Sequence, residues 1–283
     1  MSCIRIIPRL DIKGPNLVKG IHLEGLRVLG KPERFARHYY EEGADELIYM
    51  DVVASLYGRN SLVEIVERTS REIFIPLTVG GGLRSVEDIQ TVLRAGADKV
   101  ALNTAAINNP TLIQDAARIF GSSTIVVSIE AIKMPDGTYE AFTNNGREET
   151  GVEVYAWAKK VEALGAGEIL LTSINLEGTG KGHDLQLTRG VAESAGIPVI
   201  ASGGAGDIAH IAEVIHQGKA DSVCMASLLH YNYVRYHRDT GGKFSEGNTN
   251  FLKNGRTGFS KIRDADIRSL KQHLIENHIE TRL

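Results

Sequence analysis

The sequence predicts a closed (βα)8 barrel from three features: eight short apolar runs, the amphipathic stretches that separate them, and an internal repeat. The runs, rich in Ile, Val and Leu, lie near 5–11, 46–51, 75–79, 99–102, 124–130, 168–173, 198–202 and 221–226. Between them fall helical patterns such as 33–42, 86–95 and 156–164, with a last helix at 264–276. Strands this uniformly apolar belong to a parallel sheet covered on its outer face, and eight units in one chain close most simply into a barrel. A doubly wound open sheet is the competing arrangement, and the repeat discriminates against it.

Taken in order, Gly43-Ala44-Asp45-Glu46-Leu47-Ile48 introduces the second strand and Gly165-Ala166-Gly167-Glu168-Ile169-Leu170 the sixth, 122 residues later. The turn after the third strand, Val79-Gly80-Gly81-Gly82, leads to Gly96-Ala97-Asp98 before the fourth. The turn after the seventh, Ser202-Gly203-Gly204, leads to Gly218, Ala220 and Asp221 before the eighth, again at a separation of 122. The chain reads as two (βα)4 halves, about 1–120 and 121–283, of a single barrel domain spanning 1–283.

Composition excludes several classes. The 283 residues are 42% hydrophobic and 24% charged, which argues for a packed globular chain. With 32 Lys+Arg against 35 Asp+Glu, net charge -3, there is no bulk positive field for nucleic acid or an anionic membrane. Two cysteines, Cys3 and Cys224, are too few for a disulfide framework or a thiolate zinc site, which predicts a reducing compartment; no metal or cofactor is expected. The N-terminus lacks the long apolar stretch of a signal peptide and no run approaches a membrane span, which predicts a cytoplasmic protein.

In a (βα)8 barrel the functional residues sit at the C-terminal ends of the strands. Asp11 ends the first strand and Glu130 the fifth, equivalent places whose carboxyls should face each other across the mouth, as general acid/base chemistry requires. Capping of loops, or pairing with Lys13 or Lys19, would equally explain strand-end acids. The Gly80-Gly81-Gly82 turn with Asn103-Thr104 parallels Gly203-Gly204 with Ala226-Ser227, which predicts two phosphate sites on opposite rims. A Gly-Gly turn alone is more often just a tight connection. Arg5, Glu46, Lys99 and Glu168 open strands one, two, four and six and would form a ring of two cations and two anions at the barrel bottom, either a salt-bridge layer or a functional feature.

From residue 5 to about residue 231 the chain resembles the cyclase subunit of imidazole glycerol phosphate synthase. The resemblance rests on stretches such as Leu10-Asp11-Ile12-Lys13, Thr78-Val79-Gly80-Gly81-Gly82, Asn103-Thr104-Ala105-Ala106, Leu171-Thr172-Ser173-Ile174 and Ala201-Ser202-Gly203-Gly204-Ala205-Gly206. It implies that a separate glutaminase subunit supplies ammonia, which crosses the barrel to a substrate at the C-terminal face. It makes Arg5, Glu46, Lys99 and Glu168 the ammonia gate, Asp98 a docking residue, and the positions of Asp11 and Glu130 the catalytic pair; with the turn residues Gly82, Asn103, Thr104, Gly204, Ala226 and Ser227, the residues Arg9, Lys19 and Glu177 complete the expected substrate and phosphate contacts, Arg9 by its charge. A dry path keeps ammonia unprotonated and nucleophilic.

The chain departs from the family at chosen places. Glu130 stands where the family has aspartate, adding roughly 1.5 Å of reach; Arg9 replaces cysteine and projects into the barrel beside Asp11; Asn175 and Glu177 replace aspartates. After strand eight, residues 232–262 read as an inserted loop containing Tyr233, Arg235, Tyr236, His237, Arg238, Lys243, Phe251, Lys253, Arg256 and Lys261. Lying over the mouth, it suits a nucleotide-like ligand, or else it is a disordered or oligomer-forming surface loop. These departures lead the sequence reading to a paralog that supplies ammonia for amidine formation on a nucleotide sugar in surface-polysaccharide biosynthesis, with an ATP-dependent adenylating amidotransferase as a further partner. The alternatives are the histidine-pathway cyclase itself and a non-catalytic scaffold that activates its glutaminase.

Overall fold

The computed structural model describes residues 3–54, 62–237, 248–249 and 261–282. In chain order the strands are β1 (Arg5–Lys13), β2 (Asn16–Ile21), β3 (Glu24–Gly30), β4 (Leu47–Asp51), β5 (Leu77–Gly80), β6 (Lys99–Leu102), β7 (Ile125–Lys133), β8 (Tyr139–Thr143), β9 (Glu148–Glu153), β10 (Glu168–Ser173), β11 (Val199–Ser202) and β12 (Ser222–Met225). The described helices are α1 (Pro32–Glu41), α2 (Val63–Ser70), α3 (Val86–Arg94), α4 (Thr104–Asn108), α5 (Thr111–Phe120), α6 (Val154–Ala163), α7 (Leu185–Ser194), α8 (Ala209–His216), α9 (Ser227–Tyr236) and α10 (Ile267–Glu276).

Eight parallel strands pair in the order β1-β4-β5-β6-β7-β10-β11-β12, and β12 returns to β1 through Arg5↔Ser222 to Pro8↔Met225. The closed (βα)8 barrel predicted from the repeat is the fold. Burial separates two cores. The larger lies between strands and helices, where Phe35, Val92, Ile113, Trp157, Val191, Ile211 and Leu270 pack on outward strand residues. The smaller fills the barrel with Ile7, Ile48, Met50, Ala101, Val126, Leu170, Ile200 and Cys224. Side chains alternate across each strand, so residues two apart along β1 belong to one face.

The recurring Gly-Ala-Asp element sets the strand register. Asp45, Asp98 and Asp221 each stand just before β4, β6 and β12, and each carboxylate accepts from a backbone N–H of the neighbouring strand: Ile6 at 2.8 Å, Leu77 at 2.9 Å and Val199 at 2.9 Å. The backbone N–H groups of the same acids donate back to the carbonyls of Ile6, Leu77 and Val199. Gly167, in the fourth such place, keeps the backbone bond to Ile125 O and lacks the carboxylate. Helix starts are local: Pro32 occupies the first turn of α1, Ser85 and Asp88 form a capping box on α3, and Asp184 and Asp266 cap α7 and α10.

Two features differ from or go beyond the sequence reading. After strands one and five, β2–β3 extends antiparallel from β1, and β8–β9 extends antiparallel from β7. The inserted loop also begins later than residue 232, because Asn232–Tyr236 completes α9, where Tyr233 stacks on Phe35 and His237 and is buried. An aromatic face that continues the helix outweighs the basic residues beside it. Of this segment, 238–247 and 250–260 lie outside the described residues, including Arg238, Lys243, Phe251, Lys253 and Arg256. Asn248 O accepts from Val28 N at 3.0 Å, placing that point beside β3 on the mouth side. No described helix is long and apolar enough to cross a membrane.

Asp45 also pairs with Lys271 at 3.0 Å, both side chains buried. Asp45→Ala strands that ammonium in the core and removes the Ile6 anchor. The variant should lose about 3–5 kcal/mol of stability, measured by urea unfolding.

Candidate active site

The inward faces stack in layers. At the bottom Arg5 Nη1 contacts Glu46 Oε1 at 2.6 Å and Glu168 Oε1 at 3.0 Å, while Lys99 Nζ contacts Glu46 Oε2 at 3.1 Å and Glu168 Oε1 at 3.0 Å. Each cation bridges both acids, so the four predicted residues form a closed, charge-balanced ring. Ser222 Oγ accepts from Arg5 Nε at 2.8 Å, and Glu168 Oε2 is buried without a hydrogen-bond partner. Above the ring comes the apolar layer of Ile7, Ile48, Ala101, Val126, Leu170 and Ile200.

The mouth lies above this layer. Asp11 on β1 and Glu130 on β7 sit four strands apart in either direction around the barrel, hence on opposite walls. Arg9, only 4% exposed, reaches across the bore: its Nε donates to Asp11 Oδ1 at 2.8 Å and its Nη1 to Thr172 Oγ1 at 3.2 Å on β10. The added cation is therefore spent chiefly on Asp11. Glu130 Oε2 accepts from Gly146 N at 2.8 Å. Burial pushes the Glu130 carboxyl up to about 7; the charge of Arg9 and the Gly146 N–H oppose the rise, and nearby Asp11 adds to it. Burial likewise pushes the Cys224 thiol up to about 12, which leaves it an unreactive wall.

The predicted binding residues sort into two cavities, one per half. The first, about 290 Å³, is lined by Gly81, Gly82, Asn103, Thr104, Asp51 and Glu130. The second, about 30 Å³, is lined by Arg9, Asp11, Lys19, Glu177, Gly204 and Ser227, with Ala226 beside them. Each acid of the pair thus belongs to a different cavity. The second is small because the Arg9 side chain and the buried Lys19–Glu177 ion pair occupy it. Both turns need glycine: Gly81 (φ 101°) and Gly204 (φ 104°) are left-handed, and a Cβ would fall 2.4 Å from Asp51 O and 1.9 Å from Gly182 O. In the first cavity Asn103 Nδ2 donates to Phe142 O at 3.3 Å while Asn103 Oδ1 is buried without a protein partner. At the second, Ser227 opens the three-turn helix α9, and His210 Nδ1 accepts from Gly206 N at 3.2 Å.

Sequence reasoning missed the roof. The β2–β3 turn supplies Leu23 N, which donates to Glu177 Oε2 at 2.9 Å; the β8–β9 turn supplies Gly146 N to Glu130. The Asn145-Gly146 pair is a hairpin signal that would have located the second of these. The first has none, since His22 and Leu23 hold positive φ without favouring it. Asn175 is structural: its Oδ1 accepts from Lys133 N at 2.8 Å at the end of β7. Asp98 is exposed at the opposite end of the barrel while its carboxylate anchors Leu77. Among the described residues no group of three or more His, Cys, Asp or Glu is arranged to hold a metal ion.

Fold and mouth together define a (βα)8-barrel enzyme subunit whose polar site lies at the C-terminal ends of its strands. A family profile described as "Histidine biosynthesis protein" matches residues 5–235. The chain is 62% identical over 208 residues to the imidazole glycerol phosphate synthase subunit HisF of Legionella pneumophila, covering 74% of this chain and 98% of that protein. It is 47% identical to the protein of the same name from Alkaliphilus metalliredigens (83% and 93% covered) and 49% to that of Methanocaldococcus jannaschii (80% and 90%). The chain belongs to this HisF-like family of synthase subunits.

The raised Glu130 has a thermodynamic consequence. The folded chain binds this proton more tightly than the unfolded chain, whose carboxyl has its ordinary value of 4.5. The contribution is therefore fully present below about pH 4.5 and is lost as pH rises through about 7, at about 1.4 kcal/mol for each tenfold change in proton affinity. Glu130→Gln should flatten this part of the stability curve, a difference of roughly 3 kcal/mol between pH 5 and pH 8 in urea unfolding.

Proposed function

We propose that the chain is the ammonia-accepting cyclase-type subunit of a two-component glutamine amidotransferase of the imidazole glycerol phosphate synthase type. The observation that carries the reading is the pairing of Asp11 and Glu130 on opposite walls of one mouth, each with its own glycine-turn cavity. A substrate with a phosphate at each end, such as the phosphoribulosyl aminoimidazole carboxamide that the family resemblance implies, would lie across the mouth with its reacting centre between the two acids. Glu130, balanced near neutrality, gives and takes protons during cleavage and cyclisation, and Asp11 is its counterpart on the other wall. The relatives' names move this reading ahead of the polysaccharide paralog that the sequence departures favoured.

The glutaminase partner would dock at the opposite end. Three exposed residues lie there on successive connections into β5, β6 and β7: Phe74, 80% exposed, Asp98, and Ile119, 52% exposed. Large exposed apolar side chains beside a charged residue suit a protein interface. Ammonia released there meets the Arg5–Glu46–Lys99–Glu168 ring, and the apolar layer beyond it gives a dry path to the mouth. A partner that shifts one ring cation would open the entrance, since each cation holds both acids.

One observation favours a second reading. Arg9 ties up Asp11, and the Glu130 carboxyl is carried up to the roof hairpin. Both changes alter the acid/base pair and fit a different acceptor, such as the acetamido group of a nucleotide sugar activated by an ATP-dependent amidotransferase.

The test uses the complex with a glutaminase, or the chain with ammonium salt at alkaline pH, supplied with the phosphoribulosyl substrate. The wild type should turn over and Asp11→Asn should lower the rate by at least about a hundredfold, with glutamine hydrolysis retained. Wild-type inactivity combined with rescue by Glu130→Asp would overturn the first reading in favour of the second. A rate indifferent to Asp11 would point to a scaffold.

A further inference from the structure

Two β-hairpins meet over the barrel mouth, and the side chain of Asn145 hydrogen-bonds one to the other. The β2–β3 turn carries His22 and Leu23, the β8–β9 turn Asn144 and Asn145, and all four hold positive φ between 52° and 61°. Asn145 Nδ2 donates to Leu23 O at 3.2 Å. Leu23 packs on Phe142 at the end of β8 and on Ile174 beyond β10, so the contact has an apolar footing. On either side of this clasp the backbone reaches an acid: Leu23 N bonds Glu177, and Gly146 N, the residue after Asn145, bonds Glu130 at 2.8 Å.

We propose that Asn145 is a positioning residue that ties the two hairpins together, keeps the Gly146 N–H on Glu130, and thereby makes the ionisation of that acid depend on closure of the roof. The residue type fits the task. Asn tolerates the left-handed backbone and carries an N–H donor, whereas Gly has no donor and Asp offers only acceptors. A hydrogen bond to a carboxylate favours its charged form, and its loss leaves burial to favour the protonated one. The other groups facing Glu130 are Arg9 and Asp11 from β1, Asp51 from β4 in the same cavity, and Asn103 from the end of β6. Arg9, Asp11 and Asp51 belong to barrel strands, whereas Asn103 also donates to Phe142 O of β8 at 3.3 Å. On the hairpins themselves the nearest charges, Arg147 and Glu24, oppose each other at 3.9 Å. Loss of the clasp alone, with the mouth still buried, thus favours the protonated form of Glu130, and the intact clasp favours the charged one. The inference deepens the reading of Glu130 as the proton-exchanging group and rests on it.

The decisive measurement needs no substrate. Carbon-13 NMR of the glutamate carboxyls in the whole chain, with Glu130→Gln to identify the resonance, gives the Glu130 midpoint. Asn145→Gly keeps the left-handed backbone and deletes the clasp. The midpoint should rise by roughly one pH unit, as for the loss of one charge-assisted hydrogen bond. The Gly146 amide should follow the Glu130 titration in the wild type and stop doing so in the variant. A folded Asn145→Gly with an unchanged midpoint and an unchanged Gly146 response overturns the proposal. If that variant does not fold, Asn145→Ser, too short to reach Leu23 O, replaces it under the same criteria. In the active complex the pH profile of kcat should move upward. An inactive wild type would sink the functional reading while leaving the NMR result to decide the clasp.

Discussion

When β12 pairs back onto β1, the eight barrel strands have no free edge, and every inward side chain is assigned a height in the bore. Closure is what turns residues far apart in the chain into neighbours: Arg5 meets Glu46 and Glu168, and Arg9 meets Thr172. It also separates the two ends of the barrel chemically. One end is a balanced ion ring, the other a mouth with opposed acids, and an apolar layer lies between them. The aspartates before β4, β6 and β12 enforce this closure locally by tying the entry of one strand to its neighbour, each through a pair of bonds.

The two halves are similar in plan and unequal in detail. Both first strands are long and both carry a hairpin that roofs the mouth, the β8–β9 turn reaching Glu130 and the β2–β3 turn reaching Glu177. Yet one cavity is roomy and contains two carboxylates, whereas the other is nearly filled by Arg9 and the Lys19–Glu177 pair. The asymmetry follows from a few side chains on a symmetric frame. It gives Glu130 a buried, lightly opposed environment and leaves Asp11 engaged by a guanidinium, so two similar carboxyls stand in different electrostatic surroundings.

Much of this was legible from residue order. The eight strands fall within one to three residues of their predicted places, because uniformly apolar runs between amphipathic stretches have few other solutions. Asp11, Glu130, the glycine turns and the charged ring were legible because strand ends and starts are functional and structural positions by rule. The roof was not. The β2–β3 turn has no residues that favour positive φ, and a hairpin growing from a barrel strand leaves the same polar pattern as a loop. The start of the segment after strand eight was misjudged for a related reason: basic residues suggested solvent, while Tyr233 was continuing a helix onto Phe35.

The sequence by itself determined the barrel, its repeat and the residues that line it, since hydrophobic period, turn glycines and strand-entry acids act locally. Only the tertiary structure decided what those residues do to one another. That Arg9 would bond Asp11 and not Glu130, that Glu130 would titrate near neutrality, and that Asn145 would clasp Leu23 depend on distances of a few ångströms between distant segments. Hydrogen bonding and desolvation vary steeply over that range, and no one-dimensional pattern records it.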